Sequence, residues 1–176
     1  MSLARVCITG PECTGKSTLA RDLASHYRTT WVPEASRLYA ERVARPLTAA
    51  DVEPIAREHL SLVDKSLVRA RRVVFLDADL TSTAVYGQFY YGFTSAWLEQ
   101  EERAQRADLY LLCDVDVPWV ADGIRDQPDD RDAMHERFAR ELERMEAHVV
   151  PIAGEWAARR AHAFAAVDAL IARRTP

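Results

Sequence analysis

Apolar residues in this chain gather into short blocks, and longer stretches with helical spacing lie between the blocks. Val6-Cys7-Ile8 and Val73-Val74-Phe75-Leu76 are uninterrupted apolar runs, and the spacing predicts strands over 5–9, 73–76, 109–113 and 149–152. A shorter strand is expected over 29–32, closed by Pro33. Helices are predicted over 16–27, with Leu19 and Leu23 on one face, over 35–43, and over 55–70, where Ile55, His59, Leu62, Val63, Leu67 and Ala70 recur. Two more cover 81–91 and 95–106, separated near Gly92, and others cover 132–147 and 154–173. Residues 46–54 read as a connector in which Thr48 stands as an N-cap.

Strands that are apolar on both faces belong between two layers, and their alternation with helices predicts an α/β fold built on a parallel sheet. Crossovers are then right-handed. Ligands bind such sheets at the carboxyl ends of the strands. The residues expected there are Gly10, Pro33-Glu34, Asp77 to Asp79, Asp114 to Asp116 and Ala153-Gly154. No repeat or linker divides the 176 residues, so one domain over 1–176 is expected.

The first strand runs into Gly10-Pro11-Glu12-Cys13-Thr14-Gly15-Lys16-Ser17, which fits G-x-x-x-x-G-K-[ST]. A strand before this loop and a helix after it turn a ring of backbone N–H groups toward an anion, and the charge of a polyphosphate matches. Gly10, Glu12, Cys13, Thr14, Gly15, Lys16, Ser17 and Thr18 are therefore expected to hold ATP. Lys16 would reach the β- and γ-phosphates, Ser17 would ligate Mg2+, and Thr18 would add a hydroxyl near the α-phosphate.

Acids complete the chemistry. Asp77 ends an apolar strand, where a carboxylate holds magnesium directly or through water. Asp79 follows two residues on and faces the same cleft, or else caps the next helix. Glu34, after the second strand, is placed to bind or deprotonate an attacking hydroxyl, and Arg37 shares its face one turn later, where it meets a phosphate or a substrate carboxamide. The aromatic stretch from Tyr86 to Phe93 is the densest in the chain, with Trp97 just beyond it. Flat faces there suit a heteroaromatic base, a cationic ring above all. A polar stretch over 116–131 is expected to form a lid, with Arg125 closing on the triphosphate; Arg131 is left undecided between lid and salt bridge.

Composition narrows the picture. The net charge of −4 argues against a basic face for nucleic acid. Arg159 and Arg160, on a predicted helix, read as solvated charges matched to the dipole. No apolar run reaches the roughly 20 residues that span a bilayer, and a core strand opens the chain with no room for a signal peptide. The 3 cysteines, Cys7, Cys13 and Cys113, have no metal-ligand spacing, and a reducing cytoplasm is expected. None of the 5 histidines forms a zinc-like pair, and all read as structural or surface.

Four pieces in order, with the aromatic stretch after the acids, resemble one family. They are Gly10-x-Glu12-x-x-Gly15-Lys16-Ser17, Glu34-x-x-Arg37, Asp77-x-Asp79 and Trp119-x-x-Asp122-Gly123-x-Arg125. Together they look like the ribosylnicotinamide kinase domain of the bacterial bifunctional NAD-biosynthesis regulator. The resemblance covers the chain to about residue 131 and implies a nucleoside/nucleotide-kinase-like P-loop fold, five parallel strands in the order 2-3-1-4-5. It implies ATP-dependent phosphorylation of the 5′-hydroxyl of nicotinamide riboside. By resemblance Lys16 and Ser17 serve phosphates and metal, Asp77 and Asp79 the metal and the attacking hydroxyl, and Glu34 and Arg37 the substrate. Arg125 belongs to the lid, and Tyr90, Tyr91 or Trp97 face the nicotinamide. Cys13 stands where the family commonly has Ser. The family's larger members place an adenylyltransferase ahead of the kinase; this chain opens on the kinase strand. Another nucleoside kinase, or a regulatory P-loop ATPase without a small acceptor, are the alternatives.

Overall fold

The computed structural model describes residues 3–118 and 130–174. Five strands form one sheet: β1 (Ala4–Thr9), β2 (Trp31–Val32), β3 (Val73–Asp77), β4 (Leu109–Cys113) and β5 (Val149–Ile152). Their order is β2-β3-β1-β4-β5, and every pairing is parallel. The helices between them are α1 (Lys16–His26), α2 (Ala35–Val43), α3 (Val52–Leu67), α4 (Leu80–Tyr91), α5 (Ala96–Ala104), α6 (Arg131–Arg144) and α7 (Trp156–Arg174).

The period of two along each strand sorts the core into two layers. Val6 and Ile8 of β1, Val73 and Phe75 of β3, and Leu109 and Leu111 of β4 pack on α1 and α7 through Leu19, Leu23, Val167 and Leu170. The alternate residues, Cys7, Val74, Leu76, Tyr110 and Leu112, pack on α3, α4 and α6 through Val63, Val85, Phe138 and Leu142. Cys7 and Cys113 are buried members of these layers, as their strand positions predicted.

Several boundaries differ from the sequence pattern by up to three residues, and α3 and α6 both end early, at Leu67 and Arg144. The second strand shrinks from 29–32 to Trp31–Val32, because Thr29 and Thr30 spend their hydroxyls on the carbonyls of Val73 and Ser66. The long helix begins at Val52 rather than 55, with Pro54 inside its first turn, where a missing N–H costs nothing. Thr48 does cap this region. It shares a capping box with Asp51 around a 3-10 turn, Ala49–Asp51, that leads straight into α3.

Candidate active site

The phosphate loop is held open by contacts from three parts of the chain. Gly10 has φ +127°, and a Cβ there would lie 2.7 Å from the Cys113 carbonyl oxygen, so the turn out of β1 accepts only glycine. Gly15 caps α1 in the left-handed region, and Cys13 also has positive φ. The Arg159 guanidinium, 1% exposed, braces the loop from beneath. It donates to the Thr14 carbonyl (3.1 Å), the Asp114 carbonyl (3.1 Å) and the Gly154 carbonyl (2.9 Å), and pairs with Asp116. The expectation of a solvated Arg159 is therefore corrected: one turn into α7, the side chain points under the loop, toward the tips of β4 and β5. Its neighbour Arg160 is solvated, stacked on Phe164 and 3.1 Å from Asp22. From above, Arg131 at the start of α6 donates to the Cys13 carbonyl (3.2 Å) and to Val117 (3.1 Å).

A cavity of about 310 Å³ lies over the loop, lined by Glu12 through Thr18 together with Glu34, Arg37, Val117 and Pro118. The Lys16 ammonium is folded back onto the Pro11 carbonyl at 2.6 Å, a contact that Thr14 shares at 2.8 Å. Asp77 sits at the tip of β3, 2% exposed, with the Ser17 hydroxyl against its carboxylate. Burial, and then the charge of Glu34, push its carboxyl above the usual range. Its Oδ1 is buried without a hydrogen-bond partner among the described residues. A hard cation fits here: one carboxylate and one hydroxyl, with an oxygen left over, suit Mg2+ that keeps water and phosphate as its other ligands.

Asp79 has a different setting. It caps α4: Ser82 N donates to one oxygen (3.3 Å) and the Tyr110 hydroxyl to the other (2.9 Å). Burial raises its carboxyl, and these donors oppose the rise. The cap foreseen as an alternative is thus present, though Asp79 also borders the second cavity.

That second cavity is larger, about 620 Å³, and runs between α2, α3 and α4. Its wall includes Glu34, Ala35, Val52, Ile55, His59, Tyr86, Tyr90 and Tyr91. Tyr86 and Tyr90 are stacked with centroids 5.9 Å apart, and the Tyr90 hydroxyl donates to Glu12 of the phosphate loop at 3.0 Å. Glu34, held by the Ser36 hydroxyl at 2.8 Å, borders both cavities.

The structure thus brings Lys16, Ser17, Asp77, Glu34 and Tyr90 together, and separates others from their expected places. Arg37, expected to meet a phosphate or the acceptor, lines the loop cavity, and its charge reaches Asp77. Trp97, expected to wall the base, lines neither cavity. It packs with the Val52, Ala56, Leu80 and Leu98 cluster, and Arg57 of α3 covers its ring at 3.9 Å. The left-handed turn at Gly92 ends α4 ahead of it, so Trp97 belongs to the separate helix α5. Arg125, with Trp119, Asp122 and Gly123, lies outside the described residues. His59 was grouped with structural histidines, yet it lines the larger cavity. Its place in the apolar stripe of α3 was the only sign available.

A family model described as an AAA domain matches residues 5–159. The chain belongs to that family. It is 33% identical over 126 residues to the Trifunctional NAD biosynthesis/regulator protein NadR of Escherichia coli, across 68% of this chain and 30% of that protein. The NadR of Salmonella typhimurium matches at the same identity and coverage. The chain therefore spans under a third of the length of these curated relatives. Among solved structures, NadR in complex with NR superposes with a TM-score of 0.79 at 24% identity, over 94% of this chain and 50% of that one. The thymidylate kinase of Ehrlichia chaffeensis gives 0.62 at 16% identity, over 97% of this chain and 100% of that one. The domain is a NadR-like P-loop domain with an α/β fold, and its strand order is the one expected from the resemblance. Among the described residues no helix is long and apolar enough to cross a membrane.

Proposed function

We propose that this domain is an ATP-dependent kinase that phosphorylates the 5′-hydroxyl of nicotinamide riboside to give nicotinamide mononucleotide. One observation carries the reading. The phosphate-loop cavity and the aromatic-walled cavity meet at Glu34, close to Asp77, so a hydroxyl there lies between a nucleotide's terminal phosphate and a nucleoside's base. The likeness to NadR, one of whose solved structures holds NR, supports the choice of acceptor.

In this reading the loop amides and Lys16 bind the β- and γ-phosphates, Lys16 swinging off the Pro11 carbonyl to do so. Ser17 and Asp77 would hold Mg2+, which neutralises phosphate charge when bound. Glu34 orients the acceptor hydroxyl and takes its proton as the new oxygen–phosphorus bond forms. The bond from the γ-phosphorus to the bridging oxygen breaks, and ADP leaves. Arg37 and Arg131 sit on the phosphate side, where positive charge stabilises the transferring group. The stacked Tyr86 and Tyr90 offer flat faces to a pyridinium ring.

Purified protein with ATP, Mg2+ and nicotinamide riboside is expected to yield ADP and the mononucleotide in equal amounts. A panel of other nucleosides tests the acceptor. Phosphorylation of another nucleoside alone would reassign the substrate, and hydrolysis indifferent to every nucleoside would replace the kinase with a regulatory ATPase.

A further inference from the structure

The larger cavity has an inner end that the kinase reading leaves unexplained. α3 begins at Val52 and leads into β3. His59, seven residues after Val52, therefore lies about 10 Å along the helix from its start, at 1.5 Å of rise per residue. It is 4% exposed and borders the cavity together with Val52 and Ile55. Among the described residues no hydrogen bond reaches its ring, whose nitrogens are not sealed in the packing but open on the cavity. A polar group at the edge of an enclosed space as a rule finds a partner there. Here the cavity is the place where one can arrive.

The charges around the cavity point the same way. Among the described residues Glu34, Glu41 and Asp79 border it, against Arg45 as the single arginine or lysine in its wall. Arg45 is already held by both oxygens of Asp51 at 2.8 Å. An anionic group entering this space meets three carboxylates and one committed guanidinium. A neutral or cationic ring meets no such penalty.

We propose that His59 is the specificity-determining residue of the acceptor cavity, hydrogen-bonding an uncharged amide carried on the acceptor's ring and disfavouring a ring carboxylate in its place. The assignment rests on the kinase reading of the cavity. Burial holds the imidazole neutral, its pKa pushed down to about 4, with the charge of Arg5 adding to the effect. A neutral imidazole presents either an N–H or a lone pair to the cavity, and a primary amide, with a donor and an acceptor, can answer whichever is presented. A carboxylate can answer only the N–H, and it brings an uncompensated charge into a wall that already carries Glu34, Glu41 and Asp79.

The test compares nicotinamide riboside with the same riboside bearing a carboxylate instead of the amide, using the full chain with ATP and Mg2+. Wild type is expected to favour the amide in kcat/KM by about 10- to 100-fold, the range of one hydrogen bond to a buried polar group. His59→Phe is expected to raise KM for the amide more than it lowers kcat, and to shrink the preference toward unity. His59→Gln restores a donor and an acceptor and is expected to keep most of the preference, whereas His59→Leu, smaller than Phe and without polar atoms, is expected to lose it and serves if the Phe variant fails to fold. Equal turnover of both ribosides by wild type, or an unchanged ratio in His59→Phe, overturns the role of His59 and leaves the kinase standing. Turnover of neither overturns the acceptor assignment, and the proposal falls with it.

Discussion

Arg159 and Arg160 are identical in chemistry, adjacent in sequence and opposite in consequence. Replacing Arg159 with Met keeps most of the aliphatic stem and removes every donor. The carbonyls of Thr14, Asp114 and Gly154 lose their charged partner, and Asp116 loses its counterion. A hydrogen bond to a charged donor contributes about 1.5–3 kcal/mol. Breaking a buried ion pair from one side costs about 3–5 kcal/mol. Asp116 is 35% exposed, so water takes over part of the lost interaction, and the carbonyls rehydrate in part as the loop relaxes. A net cost of about 3–5 kcal/mol follows, or roughly 10 °C in Tm for a domain of this size. Arg160→Met breaks an exposed pair and one stacking contact, and should cost under about 1 kcal/mol. Urea titration of the two variants beside wild type, with matched slopes, measures both values. Nucleotide titration of Arg159→Met under native conditions should show weakened binding, because the brace under Thr14 is gone. If Arg159→Met unfolds within about 1 kcal/mol of wild type, or no more easily than Arg160→Met, the brace is not what holds the loop.

Other expectations follow from single contacts. Gly10→Ala places a methyl against the Cys113 carbonyl oxygen at a backbone angle that alanine resists, so calorimetric titration with an ATP analogue should show nucleotide affinity lost and melting lowered. Asp77→Asn removes the charge but keeps the shape beside Ser17; steady-state kinetics should show kcat down by about 100-fold or more, with nucleotide Kd changed far less. His59 remains neutral in the folded protein down to about pH 4, whereas the unfolded chain protonates it near 6.5. Its contribution is complete above about pH 6.5 and declines as the pH falls toward 4, a loss of about 3 kcal/mol. Denaturation of wild type and His59→Gln across that window should show wild type losing more stability on acidification; parallel curves would place His59 in water.

Much of the architecture was legible because it rests on local periodicity. A run such as Val73 to Leu76 is apolar at every position, so whichever face it turns, it needs a layer on both sides, and a parallel sheet supplies them. The phosphate loop was legible for a similar reason. Its glycines answer backbone demands set within a few residues, and its chemistry comes from main-chain amides that any sequence of this pattern provides. Asp77 and Glu34 could be found because strand ends converge in such a sheet. Other assignments depended on contacts between residues far apart in the chain. The Tyr90 hydroxyl meets Glu12 across 78 positions, and Arg159 meets Thr14 across 145, with nothing in the local pattern to mark either. Trp97 carried the same aromatic signal as Tyr90, yet it packs beneath Arg57 of α3 instead. Arg37 shared a helix face with Glu34, and which of its two possible neighbours it meets depends on how α2 packs, which sets it in the phosphate-loop cavity. His59 fell in an apolar stripe that any buried helix would show. Periodicity reports that a residue is turned inward, whereas the chemistry of its neighbours depends on which distant segments fold against it.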